Sequence, residues 1–142
     1  MKYVFIYLTS SIVLLGLISA HLVKATTVEN PCIVEFDSIV NSALHYEMYS
    51  KQCVLLEDGF WENGRNVGPY KRFHQNGQLA EELEFDKEGK RIGLQKYFHK
   101  NGQASLIGLW SGGKVDGYLV RYHEKGHVTE LNLFDNGTLC NN

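Results

Sequence analysis

From residue 55 onward the chain alternates short apolar runs with turn signals, and none of the runs is long enough for a stable helix. The runs 55–61, 68–74, 79–85, 92–99, 104–110, 117–123 and 128–134 are rich in aromatic and branched apolar residues, which suit strands. Two turn signals separate them. One is Asn76-Gly77, then Asn101-Gly102, then the degenerate Lys125-Gly126. The other centres on Gly64, Gly89, Gly113 and Gly137, followed by Arg65, Lys90, Lys114 and Thr138. Each glycine of the second kind precedes the next Gly77, Gly102 or Gly126 by 13 residues, and the return takes 12, 11 and 11. The period is therefore 24 or 25, with the extra residue near Lys87-Glu88. A third marker, Gly68, Gly93 and Gly117, keeps step four residues after each turn glycine.

Asn-Gly is expected to supply the two positive-φ positions of a tight hairpin turn, so each repeat reads as two antiparallel strands. Short connections throughout make a meander, without the long crossovers a parallel sheet needs. Aromatic residues recur in register: Trp61, Trp110 and Phe134 lie three residues before a turn glycine, and Phe85 lies four before Gly89. Phe73, Phe98 and Tyr122 recur in the other strand of each repeat. One hairpin cannot bury such rings, but stacked hairpins lay each ring on the next, so these seven are the expected core. The fold class is all-β: a twisted antiparallel meander of stacked hairpin repeats, six to eight strands, with a short N-terminal helical or irregular cap.

Three segments follow. Residues 1–25 begin with Lys2, continue in an apolar run from Val4 to Ala20, and offer small-residue cleavage sites at Ala25 and, second, Ala20. That is the layout of a secretory signal peptide, with an uncleaved membrane anchor as the alternative. Export implies a secreted, periplasmic or cell-envelope location. Residues 26–52 form the cap segment: Phe36, Ile39, Val40 and Ala43 fit one face of a helix with Asp37 near its start. Met48-Tyr49-Ser50 aligns on Tyr97-Phe98-His99, so a short helix leading into an edge strand is expected. Residues 53–142 hold the hairpin repeats.

Charge narrows the partners. Losing residues 1–25 removes Lys2 and Lys24 and no acid, which takes the net charge from −2 to −4. With no basic block, nucleic-acid binding is excluded. Membrane contact would come only through residues 1–25 if they are retained. Cys32, Cys53 and Cys140 are odd in number, so one bridge and one free thiol is the simplest arrangement, of unassigned pairing. Cys53 and Cys140 read as bridge members rather than nucleophiles. Scattered cysteines without CxxC spacing give no zinc site, and no metal or cofactor is expected.

Candidate chemistry is sparse. His74, His99 and His123 occupy one slot of successive repeats, about 10 Å apart by strand spacing, too far to share a metal. They read as a solvated row inherited by duplication. His123 and His127, with Glu124, could at most make a surface pair. Asp58, Glu62, Glu81, Glu82, Glu84, Asp86 and Glu88 read as a solvated acidic surface that resists edge-to-edge association. Ser111-Gly112-Gly113-Lys114 lacks the spacing of a phosphate loop, no G-x-S-x-G occurs, and Asn136-Gly137-Thr138 is accounted for by its turn. No catalytic residue is expected.

One asymmetry points to binding. Ala80, Glu82 and Glu84 share a strand face whose counterparts in the next repeats are Ser105, Ile107, Leu109 and Thr129, Leu131, Leu133. The C-terminal half is thus apolar on both faces. Ile107, Leu109, Leu119, Leu131 and Leu133 form the expected platform, covered either by the N-terminal segment through Phe36, Ile39 and Val40 or by a partner protein.

The units GPYKRFHQNGQLAEELEFDKEGKRI, GLQKYFHKNGQASLIGLWSGGKVD and GYLVRYHEKGHVTELNLFDNGTL, preceded by the partial copy CVLLEDGFWENGRNV, resemble the bacterial variant of the MORN repeat (membrane occupation and recognition nexus), the YwqK-type antitoxin-like family. The third unit departs from the pattern at Lys125, where asparagine is expected. The resemblance covers about residues 53–139. It implies stacked hairpins, no transferable catalytic motif, and an antitoxin- or immunity-like role. The expected function is non-catalytic protein–protein binding by an exported repeat protein. A membrane-surface or lipid-associated module is the alternative, and an envelope enzyme a third reading.

Overall fold

The computed structural model describes residues 34–40 and 42–140. The signal-peptide reading of residues 1–25, residues 26–33 of the cap segment and Cys32 lie outside them. Ten strands follow one another: β1 Val34–Val40, β2 Ala43–Tyr49, β3 Leu55–Glu62, β4 Arg65–Phe73, β5 Leu79–Phe85, β6 Gly93–Phe98, β7 Ala104–Ser111, β8 Lys114–Tyr122, β9 Val128–Asp135 and β10 Thr138–Leu139. They form one antiparallel sheet in sequence order. Among the described residues packing runs chiefly between sequence-adjacent strands, so the described sheet is a single layer.

Residues 36–40 and 42–43 are not helical. β1 and β2 are joined at Ser42, whose φ of 70° no right-handed helix accommodates, and Val40 pairs with Ala43. β2 then pairs with β3 from Leu44↔Trp61 to Tyr49↔Leu55. The helical spacing of Phe36, Ile39, Val40 and Ala43 is overridden by this pairing. The alignment of Met48-Tyr49 on Tyr97-Phe98 holds in the register. The ladder shifts between Met48 and Tyr49 as it does between Arg72 and Phe73, Tyr97 and Phe98, and Arg121 and Tyr122. β10 has no counterpart among the expected strands.

The two turn signals exchange roles. The turns with two positive-φ positions are Asn63-Gly64 (49° and 84°), Gly112-Gly113 (54° and 86°) and Asn136-Gly137 (46° and 86°). At Asn76-Gly77 and Asn101-Gly102 only the glycine has positive φ, and the turn is wider. There the N–H of His74 donates to Gln78 O at 2.7 Å and that of Gly77 to His74 O at 2.8 Å, with matching bonds at His99–Gln103 and His123–His127. The asparagine acts through its side chain: Asn76 Oδ1 accepts from the Gln78 N–H and Asn101 Oδ1 from the Gln103 N–H. Ser50–Val54 repeats this geometry with Cys53 in the glycine slot at φ 60°. Asp86–Lys90 also adopts it, which is where the extra residue of the 25-residue period is absorbed.

These turns are laced to the next ones. His74 Nε2 lies 3.0 Å from Phe98 O and His99 Nε2 2.9 Å from Tyr122 O. A carbonyl only accepts, so both imidazoles carry the proton on Nε2. Asn76 Nδ2 donates to Lys100 O and Asn101 Nδ2 to Glu124 O, each at 2.8 Å. On the other edge Arg65 lies over Gly89 and donates to Glu88 O, while Lys90 covers Gly113 and Lys114 covers Gly137. The histidine row is therefore a set of stitches between repeats rather than a solvated by-product. His123 has no following unit among the described residues. It accepts from the Lys125 N–H and stacks on His127 at 4.6 Å.

The core is small and central. Ala43, Val67, Tyr70, Ala80 and Leu83 are its buried apolar residues among those described. One row pairs Tyr46 with Gly59, Tyr70 with Leu83, and Gln95 with Gly108 and then Leu119. Gly59 and Gly108 leave room for their neighbours: a Cβ on Gly108 would stand 2.7 Å from both Leu119 and Trp110. Gln95 is wholly buried where the β5–β6 ladder narrows to Glu81↔Tyr97 and Glu82↔Lys96. Its Nε2 donates to Glu84 O and Ile92 O, replacing ladder bonds. Its Oε1 has no partner.

The seven repeat aromatics are not the buried core. Trp61 is 42% exposed, and Phe73, Phe85, Phe98, Trp110, Tyr122 and Phe134 are half-buried. With one described layer, a ring is shielded by its lateral neighbours but by no other described element above it. Phe85 packs edge-on against Tyr70 at 5.9 Å.

The lacing has a direct test. His99→Ala removes a bond to the next repeat and is expected to cost about 1 kcal/mol. His123→Ala, at the same slot with no such bond, is expected to cost less than half of that. Urea unfolding of the two variants measures the difference.

Candidate functional site

Cross-strand pairing fixes which side chains share a face. One row runs across the sheet as Glu47↔Asp58↔Lys71↔Glu82↔Lys96↔Ile107↔Val120↔Leu131. Its first five members are charged and its last three apolar. Lys96 and Glu82 pair at 2.8 Å, and His45 bonds Asp58 at 2.8 Å. Next to this row lie Pro69↔Glu84, Leu94↔Leu109 and Tyr118↔Leu133. The C-terminal half of this face thus presents Leu94, Leu109, Tyr118, Leu131 and Leu133, between 41% and 61% exposed.

The sequence platform is largely brought together. Ile107, Leu109, Leu131 and Leu133 share this face, while Leu119 does not. The two-residue turn at Gly112-Gly113 pairs Ser111 with Lys114, so residues facing the same way across it have opposite parity. Val120, not Leu119, pairs with Ile107 and Leu131, and Leu119 lies on the other face over Gly108. Tyr118 and Val120 were missed for the same reason of parity, and Leu94 joins the platform through its pairing with Leu109. The strand that carries Phe36, Ile39 and Val40, β1, is hydrogen-bonded to β2 at the edge of the sheet far from the platform, not folded back over it.

Toward the N-terminal half of this face is a concavity of about 440 Å³ with apolar walls from Ala43, Phe60, Val67, Pro69 and Phe85. Glu62, Asp86 and Lys87 supply its polar lining. Between it and the platform stands Glu84, exposed, its carboxylate without a hydrogen bond or ion pair among the described residues and reaching over Gly93.

The opposite face is polar and aromatic. The row Glu57↔Arg72↔Glu81↔Tyr97↔Leu106↔Arg121↔Glu130 crosses it, with Arg72 paired to Glu81 and Arg121 to Glu130. Burial raises the Tyr46 hydroxyl to about 12, aided by the Glu57 charge, and raises Tyr70 further for the same reasons. Burial also raises Tyr97.

Among the described residues, no group of three or more His, Cys, Asp or Glu side chains could hold a metal ion. The turn glycines, Gly64, Gly77, Gly89, Gly102, Gly113, Gly126 and Gly137, all have positive φ. Cys53 is disulfide-bonded, and Cys140 is free and exposed, so Cys140 is not the bridge member it was expected to be. No family model matches this chain, and no curated protein or solved structure does.

The raised tyrosines make stability pH-dependent. The neutral phenols are favoured by the fold, so their contribution is complete below the ordinary value near 10 and is lost as pH rises toward 12. Ultraviolet titration is expected to show Tyr46 and Tyr70 ionising after the ordinary tyrosine range, together with unfolding.

Proposed function

We propose that this is an exported, non-catalytic, MORN-like repeat protein that binds another protein through the apolar C-terminal half of one sheet face. The observation that carries the reading is the platform of Leu94, Leu109, Tyr118, Leu131 and Leu133 on a single-layer sheet. Exposed large apolar side chains that share a face and lack a covering layer are the mark of an interaction surface. The other half of the same face is studded with charges and needs no cover. The stacked hairpins support the MORN-like reading, and an antitoxin- or immunity-like role follows from that resemblance alone. The apolar run Val4–Ala20 supports export.

Leu131→Asp places a charge in the middle of the platform at an exposed position, so the fold is expected to persist. A pull-down from the producing cells' envelope fraction with wild type and variant is expected to lose its captured protein in the variant. Identical capture by both, with unchanged circular dichroism, would remove the platform as the binding surface.

A further inference from the structure

The platform continues as a stripe toward the N-terminal half of its face. Tyr118 pairs with Leu133 and Leu94 with Leu109, while a Cβ on Gly117 would touch Leu109 at 3.5 Å, which joins the two pairs. Glu84 reaches over Gly93, the chain neighbour of Leu94, and it pairs with Pro69, a wall of the 440 Å³ concavity. From β3 to β9 the stripe crosses six strand intervals, roughly 29 Å.

Two features specify what fits. The concavity is apolar and of a size that takes one or two large side chains. Among the described residues the Glu84 carboxylate has neither a hydrogen bond nor an ion pair, whereas Glu62 and Asp86 in the concavity accept hydrogen bonds and its neighbour Glu82 is paired with Lys96. An apolar ligand laid along the stripe would strip water from Glu84 without compensation, and a ligand with a cation at that point would pair with it.

We propose that the stripe binds one peptide segment of a partner protein, with an apolar anchor in the Phe60–Val67–Pro69 concavity, a lysine or arginine against Glu84, and apolar side chains on Leu94, Leu109, Tyr118 and Leu133. The inference rests on the protein-binding reading above and specifies the chemistry of the partner. A second copy adding strand to strand at the sheet edge is the poorer occupant. The edge strand β9 is shortened for pairing by a register shift at Val128 and by β10 on Phe134 and Asp135, so the sheet does not extend readily into another copy.

A phage-displayed library of random peptides long enough to span the stripe tests this against the immobilised protein. Recovered peptides are expected to carry a lysine or arginine among apolar residues. They are expected to bind Glu84→Lys about fivefold to tenfold more weakly, Glu84→Gln by an intermediate amount, and Leu133→Asp weakly as well. Added salt should narrow the gap between wild type and Glu84→Lys. Glu84 is exposed, so both of its variants should keep the wild-type circular dichroism spectrum. Peptides that bind wild type and Glu84→Lys equally but lose Leu133→Asp would overturn this inference and leave the binding reading standing. Peptides indifferent to Leu133→Asp, or none recovered, would overturn both. A wild-type dimer in sedimentation that Leu131→Asp dissociates would give the face to a second copy and overturn the peptide assignment.

Discussion

Everything in this sheet depends on the contacts that each turn makes with the turn after it. A single layer cannot shield both faces, and its buried apolar core is confined to Ala43, Val67, Tyr70, Ala80 and Leu83 among the described residues. The ladder supplies backbone bonds, but a ladder alone lets neighbouring strands slide and twist. The forward bonds of His74, Asn76, His99 and Asn101 end on named carbonyls of the next unit, which fixes the register at one edge. Arg65, Lys90 and Lys114 do the same at the other edge by lying over Gly89, Gly113 and Gly137. Each such hydrogen bond is worth about 1 kcal/mol net. Stability is therefore distributed along the array between nearest neighbours, as in other repeat proteins.

This lattice explains where the repeat decays. Asn76 and Asn101 become Lys125, Gln78 and Gln103 become His127, and the Arg65, Lys90 and Lys114 slot becomes Thr138. The earlier side chains reach forward: Gln78 covers Gly102 and Gln103 covers Gly126. In the last described unit these slots carry other residues, and the local turn survives the departure at Lys125, with the His123–His127 and Gly126–His123 backbone bonds intact.

The period, the strands from residue 55 onward and the meander were legible because the turn chemistry and the apolar runs recur together. The extra residue near Lys87-Glu88 was legible too, and it appears as the wider Asp86–Lys90 turn. Three things were not. Residues 34–49 carry no turn glycine, and Cys53 stands where the pattern has glycine, so their place in the array shows only in the register. The roles of the two Asn-Gly types depend on flanking backbone bonds that composition does not reveal. Leu119 was assigned to the wrong face because alternation holds within a strand but reverses parity across a two-residue turn. Counting through Ser111↔Lys114 places Tyr118 and Val120 on the face of Ile107, and the register shift between Gly108 and Trp110 then seats Val120 opposite it. The aromatic recurrence was read as burial, yet repetition reports equivalent positions, and only a second layer would make them a buried core.

The binding face follows from the same one-layer constraint. In a two-layer protein an apolar face is consumed by folding, so its presence reports nothing about partners. Here the row from Glu47 to Lys96 shows that this sheet is stable with charge on that face, since the ladder and the turn lacing do not need it to be apolar. Ile107, Val120 and Leu131 occupy the continuation of that row under the same lacing. Their apolar character is thus not a requirement of the repeat. Along this row it is a local departure confined to β7–β9, and it carries a cost in solubility that the repeat architecture does not impose.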